Sequence, residues 1–79
     1  MNPLKQTSLQ SFHLPFGQEL RLEEVEFEGG VRLLRLRIKE KSRFTILDLD
    51  PDTARAWGEA MRDWAMSAWS KDQTARQDE

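Results

Sequence analysis

His13 is the only imidazole in this chain, and cysteine and tyrosine are absent. A hydrolase triad needs a nucleophile, a base and a group that orients the base. Ser8, Ser11, Ser42, Ser67 and Ser70 supply hydroxyls, but none sits in a nucleophile-elbow context. His13 stands beside Phe12, just before a turn. A lone histidine there reads as a surface residue, because a general base needs a positioned partner. Thiolate metal sites and disulfides are excluded, and one histidine leaves zinc only carboxylates, a rare ligand set. No catalytic, cofactor-binding or metal-ligating residue is therefore assigned, no cofactor is expected, and an enzyme is not expected.

Two charge clusters remain. Glu19, Glu23, Glu24, Glu26 and Glu28 crowd one segment, and Arg32, Arg35, Arg37, Lys39, Lys41 and Arg43 crowd the next. Paired acids could do acid–base work if burial raised one of them. Here Glu24, Glu26 and Glu28 alternate with Val25 and Phe27, the pattern of a solvated strand face. The basic cluster could contact phosphates, and Arg37, Lys39, Lys41 and Arg43 are the candidate nucleic-acid contacts. No aromatic residue interleaves with them on the strand face, so a base-stacking platform is not supported. Gly29-Gly30 precedes no helix and cannot act as a phosphate loop.

The elements that hold these residues are easier to read. Residues 1–10 are expected to be a flexible arm, 11–70 a single domain and 71–79 a polar tail. Phe12 and Leu14 share a face of a short strand, and Pro15-Phe16-Gly17-Gln18 forms a turn. Segments 19–28 and 31–39 flank Gly29-Gly30 as a β-hairpin. With Glu28-Gly29-Gly30 as the loop, Phe27 meets Val31, Val25 meets Leu33, Leu22 meets Leu36 and Leu20 meets Ile38. Glu26 then opposes Arg32, and Glu23 opposes Arg35. A Gly-Gly loop would instead set Phe27 against Arg32, so cross-strand pairing selects the first register. Gly30 takes the left-handed position of a bulged loop.

This hairpin has an oddity. Leu20 and Leu22 point one way in a regular strand, while Val25 and Phe27 point the other. Either bulges rotate the tip, or the hairpin has an apolar base on one face and an apolar tip on the other. The second case needs a cover for the tip, from the N-terminal arm or another chain. Phe44–Asp50 is the third strand, joined through Glu40-Lys41-Ser42. That loop pairs Ile38 with Phe44 and Leu36 with Ile46, and places Leu47 and Leu49 on the face of the tip.

The last element is a helix. Asp50 suits the N-cap, Pro51 the first helical position and Asp52 the positive end of the helix dipole. Ala54, Trp57, Met61, Trp64 and Ala68 follow helical spacing as a stripe for the core, flanked by Ala60. From Pro51 to Trp69 the helix would be ~28 Å long, against ~26 Å for an eight-residue strand, so it can lie along the sheet. Ala54, Gly58, Ala65 and Trp69 form a second stripe, and Met66 lies nearly opposite the first. Gly58 costs about 1 kcal/mol relative to alanine in a helix. It fits either close approach to the domain's own sheet or contact with a partner helix. After Ser70 the polar residues are expected to fray.

The expected class is α+β: an antiparallel meander of three strands, four if residues 11–18 pair, then one amphipathic helix packed on the sheet. Seventy-nine residues without disulfides make a thin core, for which self-association is a usual support. The expected function is a non-enzymatic protein-interaction module. Its partner is a second copy, giving a homodimer, or another protein, with nucleic acid as the alternative. Candidate interface residues are Val25, Phe27, Val31, Leu33, Leu47 and Leu49 on the sheet, and Gly58, Ala65, Met66 and Trp69 on the helix. Net charge is −2 and there is no apolar run of membrane-span length or signal-peptide core, so the cytoplasm is expected and a membrane is not.

Overall fold

Why the hairpin keeps its pattern on both faces is visible in the register. A computed structural model describes the backbone of residues 2–77 and the side chains of residues 2–71. Strands β1 (Lys5–His13), β2 (Glu19–Glu26), β3 (Arg32–Glu40) and β4 (Arg43–Leu49) form one antiparallel sheet in the order β1-β2-β3-β4. Helix α1 (Pro51–Gln77) follows. The fold is thus an α+β meander of four strands with one C-terminal helix.

β2 and β3 pair without interruption, Leu20 with Ile38, Leu22 with Leu36, Val25 with Leu33 and Glu26 with Arg32. The Phe27 N–H donates to the Val31 carbonyl at 2.8 Å and closes the Glu28-Gly29-Gly30 loop. Gly29 and Gly30 both take left-handed φ, 81° and 79°, a backbone that side chains disfavour. No bulge rotates the hairpin tip, so the apolar pattern does change face along it. The two loops β1–β2 and β2–β3 are built alike. The Leu14 N–H donates to the Gln18 carbonyl at 2.8 Å, the Gly17 N–H to the Leu14 carbonyl at 3.1 Å, and Gly17 has φ 91°.

Three expectations need correction here. Residues 5–10 are not a free arm: they belong to β1, which pairs with β2 along its length and carries a bulge between Ser8 and Gln10. The arm therefore extends the sheet beside the tip, with Gln6 opposite Val25. β3 and β4 are one residue out of the expected register. Leu34 pairs with Leu49, Leu36 with Leu47, Ile38 with Thr45, Lys39 with Phe44 and Glu40 with Arg43. The turn is the two residues Lys41-Ser42, with Lys41 at φ 57°. Finally, residues 71–77 continue α1 instead of fraying after Ser70.

Because directly paired residues share a face, one face is mainly apolar, with Phe12, Leu20, Leu22, Leu34, Leu36, Ile38, Leu47 and Leu49, and carries Glu24, Glu26, Arg32, Glu40 and Arg43 toward its ends. The other carries Glu19, Arg21, Glu23, Arg35, Arg37, Lys39 and Asp48 together with exposed Phe44 and Ile46 on β4, and Val25 and Leu33 toward its tip. Val25 is fully buried, and Leu36 and Leu49 are nearly so.

Helix α1 starts one residue after β4. The Asp50 side chain accepts from the Thr53 N–H at 3.2 Å, and its carbonyl accepts from the Ala54 N–H at 2.9 Å, a complete N-cap. Thr53 and Ala54 are half-buried, while most of the helix beyond them is exposed. A 27-residue helix is ~40 Å long and a nine-residue strand ~30 Å. The molecule measures 57 × 30 × 15 Å. Its long axis exceeds either element, so the helix runs out past the sheet. α1 touches β3 and β4, but Trp57, Met61 and Trp64, expected to lie along the sheet, are exposed.

Candidate interaction surfaces

The charged face is knit internally. The Arg35 Nε donates to Asp48 Oδ1 at 2.8 Å and its second nitrogen to Oδ2 at 3.0 Å, a two-point pair. These side chains are 17% and 31% exposed. The Arg35 hydrogen bonds hold the Asp48 carboxyl below its ordinary range, and the same bonds raise Arg35. The Arg37 Nε donates to Glu23 at 3.3 Å. Arg21 lies 3.9 Å from Glu19, and on the opposite face Arg32 lies 4.0 Å from Glu24. Thus Glu23 and Arg35 are backbone partners, as the register required, but the Glu23 side chain bonds diagonally to Arg37 and Arg35 bonds its direct partner on β4, Asp48.

This arrangement disperses the candidate nucleic-acid contacts. Arg37 is held by Glu23, and Lys39 lies 5.8 Å from the centroid of the Phe44 ring, so, contrary to the expectation of no aromatic on this strand face, the shifted β4 register brings Phe44 beside Arg37 and Lys39. Lys41 is in the turn, and Arg43 lies on the apolar side, paired in register with Glu40. His13 is exposed and paired in register with Glu19. Among the described residues no group of three or more His, Asp or Glu side chains could hold a metal ion.

The apolar face has no layer over it. Leu20, Leu22, Leu34 and Ile38 are half-buried, Leu47 and Phe12 are about 40% exposed, and Leu36 and Leu49 are buried. A groove of about 440 Å³ runs from Leu14 and Phe16 to Ile38 and Thr45. A second, of about 300 Å³, lies between Leu9, Leu33, Leu34 and Pro51.

The helix is the other open surface. Trp57, Trp64 and Trp69 are 41%, 73% and 64% exposed, and Met61 and Met66 are exposed too. At about 100° per residue, Ala60, Trp64, Trp57, Ala68, Met61, Ala54, Ala65, Gly58 and Trp69 fall within one arc of about 180°. The two stripes are one broad apolar side, and Arg55, Arg62, Glu59 and Met66 lie on the other. A Cβ on Gly58 would meet nothing within 4 Å. The glycine therefore makes no close approach to its own sheet.

The candidate interface residues do not form one patch. Val25 and Leu33 share the charged face, whereas Leu47 and Leu49 belong to the apolar face because β4 is shifted by one residue. Val25 and Leu49 are buried inside the protomer and Val31 is exposed. Of the helix set, Gly58, Ala65 and Trp69 share the apolar side and Met66 does not. The candidate set does not include the half-buried Leu20, Leu22, Leu34 and Ile38 or the exposed Phe12, which share the mainly apolar face. These residues looked like a core to be covered by the helix. The signal that could have moved them was the single residue available between β4 and α1.

Among the described residues no helix is long and apolar enough to cross a membrane. No curated protein matches the chain, and no solved structure does. One family profile spans residues 4–67, from the start of the first strand to the middle of the tryptophan-bearing helix. The chain thus belongs to the family described as a family of unknown function, DUF6967.

Proposed function

We propose that this protein is a small non-enzymatic interaction module that works as a homodimer in the cytoplasm. The observation that carries this reading is the pair of open apolar surfaces on one protomer, a sheet face and a tryptophan-rich helix side. Contiguous exposed apolar area of this kind marks association sites on soluble domains. Tryptophan is the residue type most enriched at the energetic centre of interfaces. The dispersal and internal pairing of the basic residues gives nucleic acid no comparable surface.

Size-exclusion chromatography with light scattering tests the proposal. A dimer is expected at ~100 μM, well above a micromolar dissociation constant, with a red shift of tryptophan emission on dilution. A strict monomer at that concentration, with emission unchanged on dilution, would remove the proposal.

A further inference from the structure

We infer that the occupant of the apolar sheet face is helix α1 of a second copy, in a reciprocal exchange. The inference rests on the self-association proposed above and specifies its geometry. One chain carries two unpartnered apolar surfaces of complementary kind: an open sheet face and a helix side bearing Trp57, Met61, Trp64 and Trp69. A sheet face and a helix stripe are the usual two layers of an α+β core. In this protomer α1 touches β3 and β4, but Trp57, Met61, Trp64 and Trp69 stay exposed.

The connection explains why. Asp50 is the whole link between Leu49 and Pro51, its side chain is committed to the Thr53 N–H, and Pro51 fixes its own backbone angle. Links between strands and helices usually have two to six residues. A link of one leaves no slack for α1 to turn back over the face that ends at Leu49. The helix instead projects past the sheet along the 57 Å axis, where it can reach another molecule.

The dimensions match. Trp57 to Trp69 spans ~18 Å along the helix. Four strands span ~14 Å between the outer two. One tryptophan side can therefore cross the whole sheet. The exposed fractions of the three indoles amount to on the order of 400 Å² per helix. Two helices and the sheet area they cover approach the roughly 1,600 Å² of a stable interface. Helix-to-helix pairing would leave the sheet face open, and sheet-to-sheet pairing would leave the tryptophans open. Reciprocal exchange covers both surfaces with one type of contact and closes under two-fold symmetry, as a homodimer should.

Site-directed crosslinking decides the geometry, and the cysteine-free chain makes it clean. One chain carries Leu47→Cys on the sheet face, and a mass-tagged chain carries Met61→Cys on the helix. The two are mixed and treated with a short bismaleimide. The expected product is the mixed 47–61 dimer, with little 47–47 or 61–61 product. Thr45→Cys with Ala65→Cys repeats the experiment without removing a large apolar side chain. Circular dichroism checks that each variant is folded. Light scattering on the unmodified protein is read in parallel. A dimer whose crosslinks are only 61–61 or only 47–47 overturns the exchange and leaves self-association standing. A monomer overturns both.

Discussion

Arg35 and Asp48 form the best-defined polar contact in the molecule, and its chemistry is structural. Two hydrogen bonds at 2.8 and 3.0 Å tie β3 to β4 in the observed register. Both partners are partly shielded, so the pair is worth more than an exposed one, about 1 kcal/mol. Its pH dependence has a definite sign. Asp48 has an ordinary value of 3.8 and is lowered in the folded state. Between those values the unfolded chain binds more protons, so stability falls as pH drops through that window. Above the ordinary value the contribution is complete. Asp48→Asn is therefore expected to lose about 1 kcal/mol at pH 7. The loss should shrink as pH falls below the ordinary carboxylate value. Urea unfolding of both proteins across pH measures it, and a difference independent of pH would contradict the assignment.

At the scale of elements, α1 is the one that does not behave as its pattern implies. Its cap is sound, its start is held by the sheet, and Arg55 bonds Glu59 one turn on at 3.0 Å. Beyond that, its exposed length relies chiefly on helix propensity, which is marginal for isolated helices. Gly58 is then a weak point with open space around it. Gly58→Ala is expected to stabilise the helix of the dilute protein by about 1 kcal/mol. Far-UV circular dichroism during thermal unfolding at low micromolar concentration would register the gain. No gain, or a loss, would show that the glycine is needed for close approach to something in that state.

For the whole molecule, the consequence of a thin sheet and a projecting helix is a protomer with a small interior. Val25 is fully buried, whereas the three indoles remain wet. In the proposed dimer, association supplies further burial, and it should concentrate in the tryptophans. Trp64, the most exposed of them, is the natural anchor. Trp64→Lys touches little within the protomer, so folding of the sheet should be preserved. A loss of about 2 kcal/mol or more in dimerisation is expected, which weakens the dissociation constant at least ~30-fold. Analytical ultracentrifugation over a concentration series measures it. A constant within a factor of about two of the original, a few tenths of a kcal/mol, would take Trp64 out of the interface.

β2, β3, β4, the start of the helix and one of the sheet registers were legible in the residue pattern, but of β1 only the end was. Wherever partners were unambiguous, as in Leu20–Ile38, Leu22–Leu36 and Val25–Leu33, the alternation fixed the pairing, and the left-handed Gly30 came with it. It failed by one residue between β3 and β4 because Phe44, Ile46, Leu47 and Leu49 place apolar groups on both faces. The decisive features were Arg35–Asp48 and a left-handed Lys41, and lysine gives no hint of that backbone. Much of β1 was hidden because Gln6, Ser8 and Gln10 lie in a polar edge strand that local pattern cannot tell from a free arm. The amphipathic helix was legible as well, but periodicity reports only that a helix has an apolar side. Which surface that side meets depends on where the chain leaves the sheet and with how much slack. Only the tertiary structure decided that a link of one residue sends the tryptophans away from their own sheet.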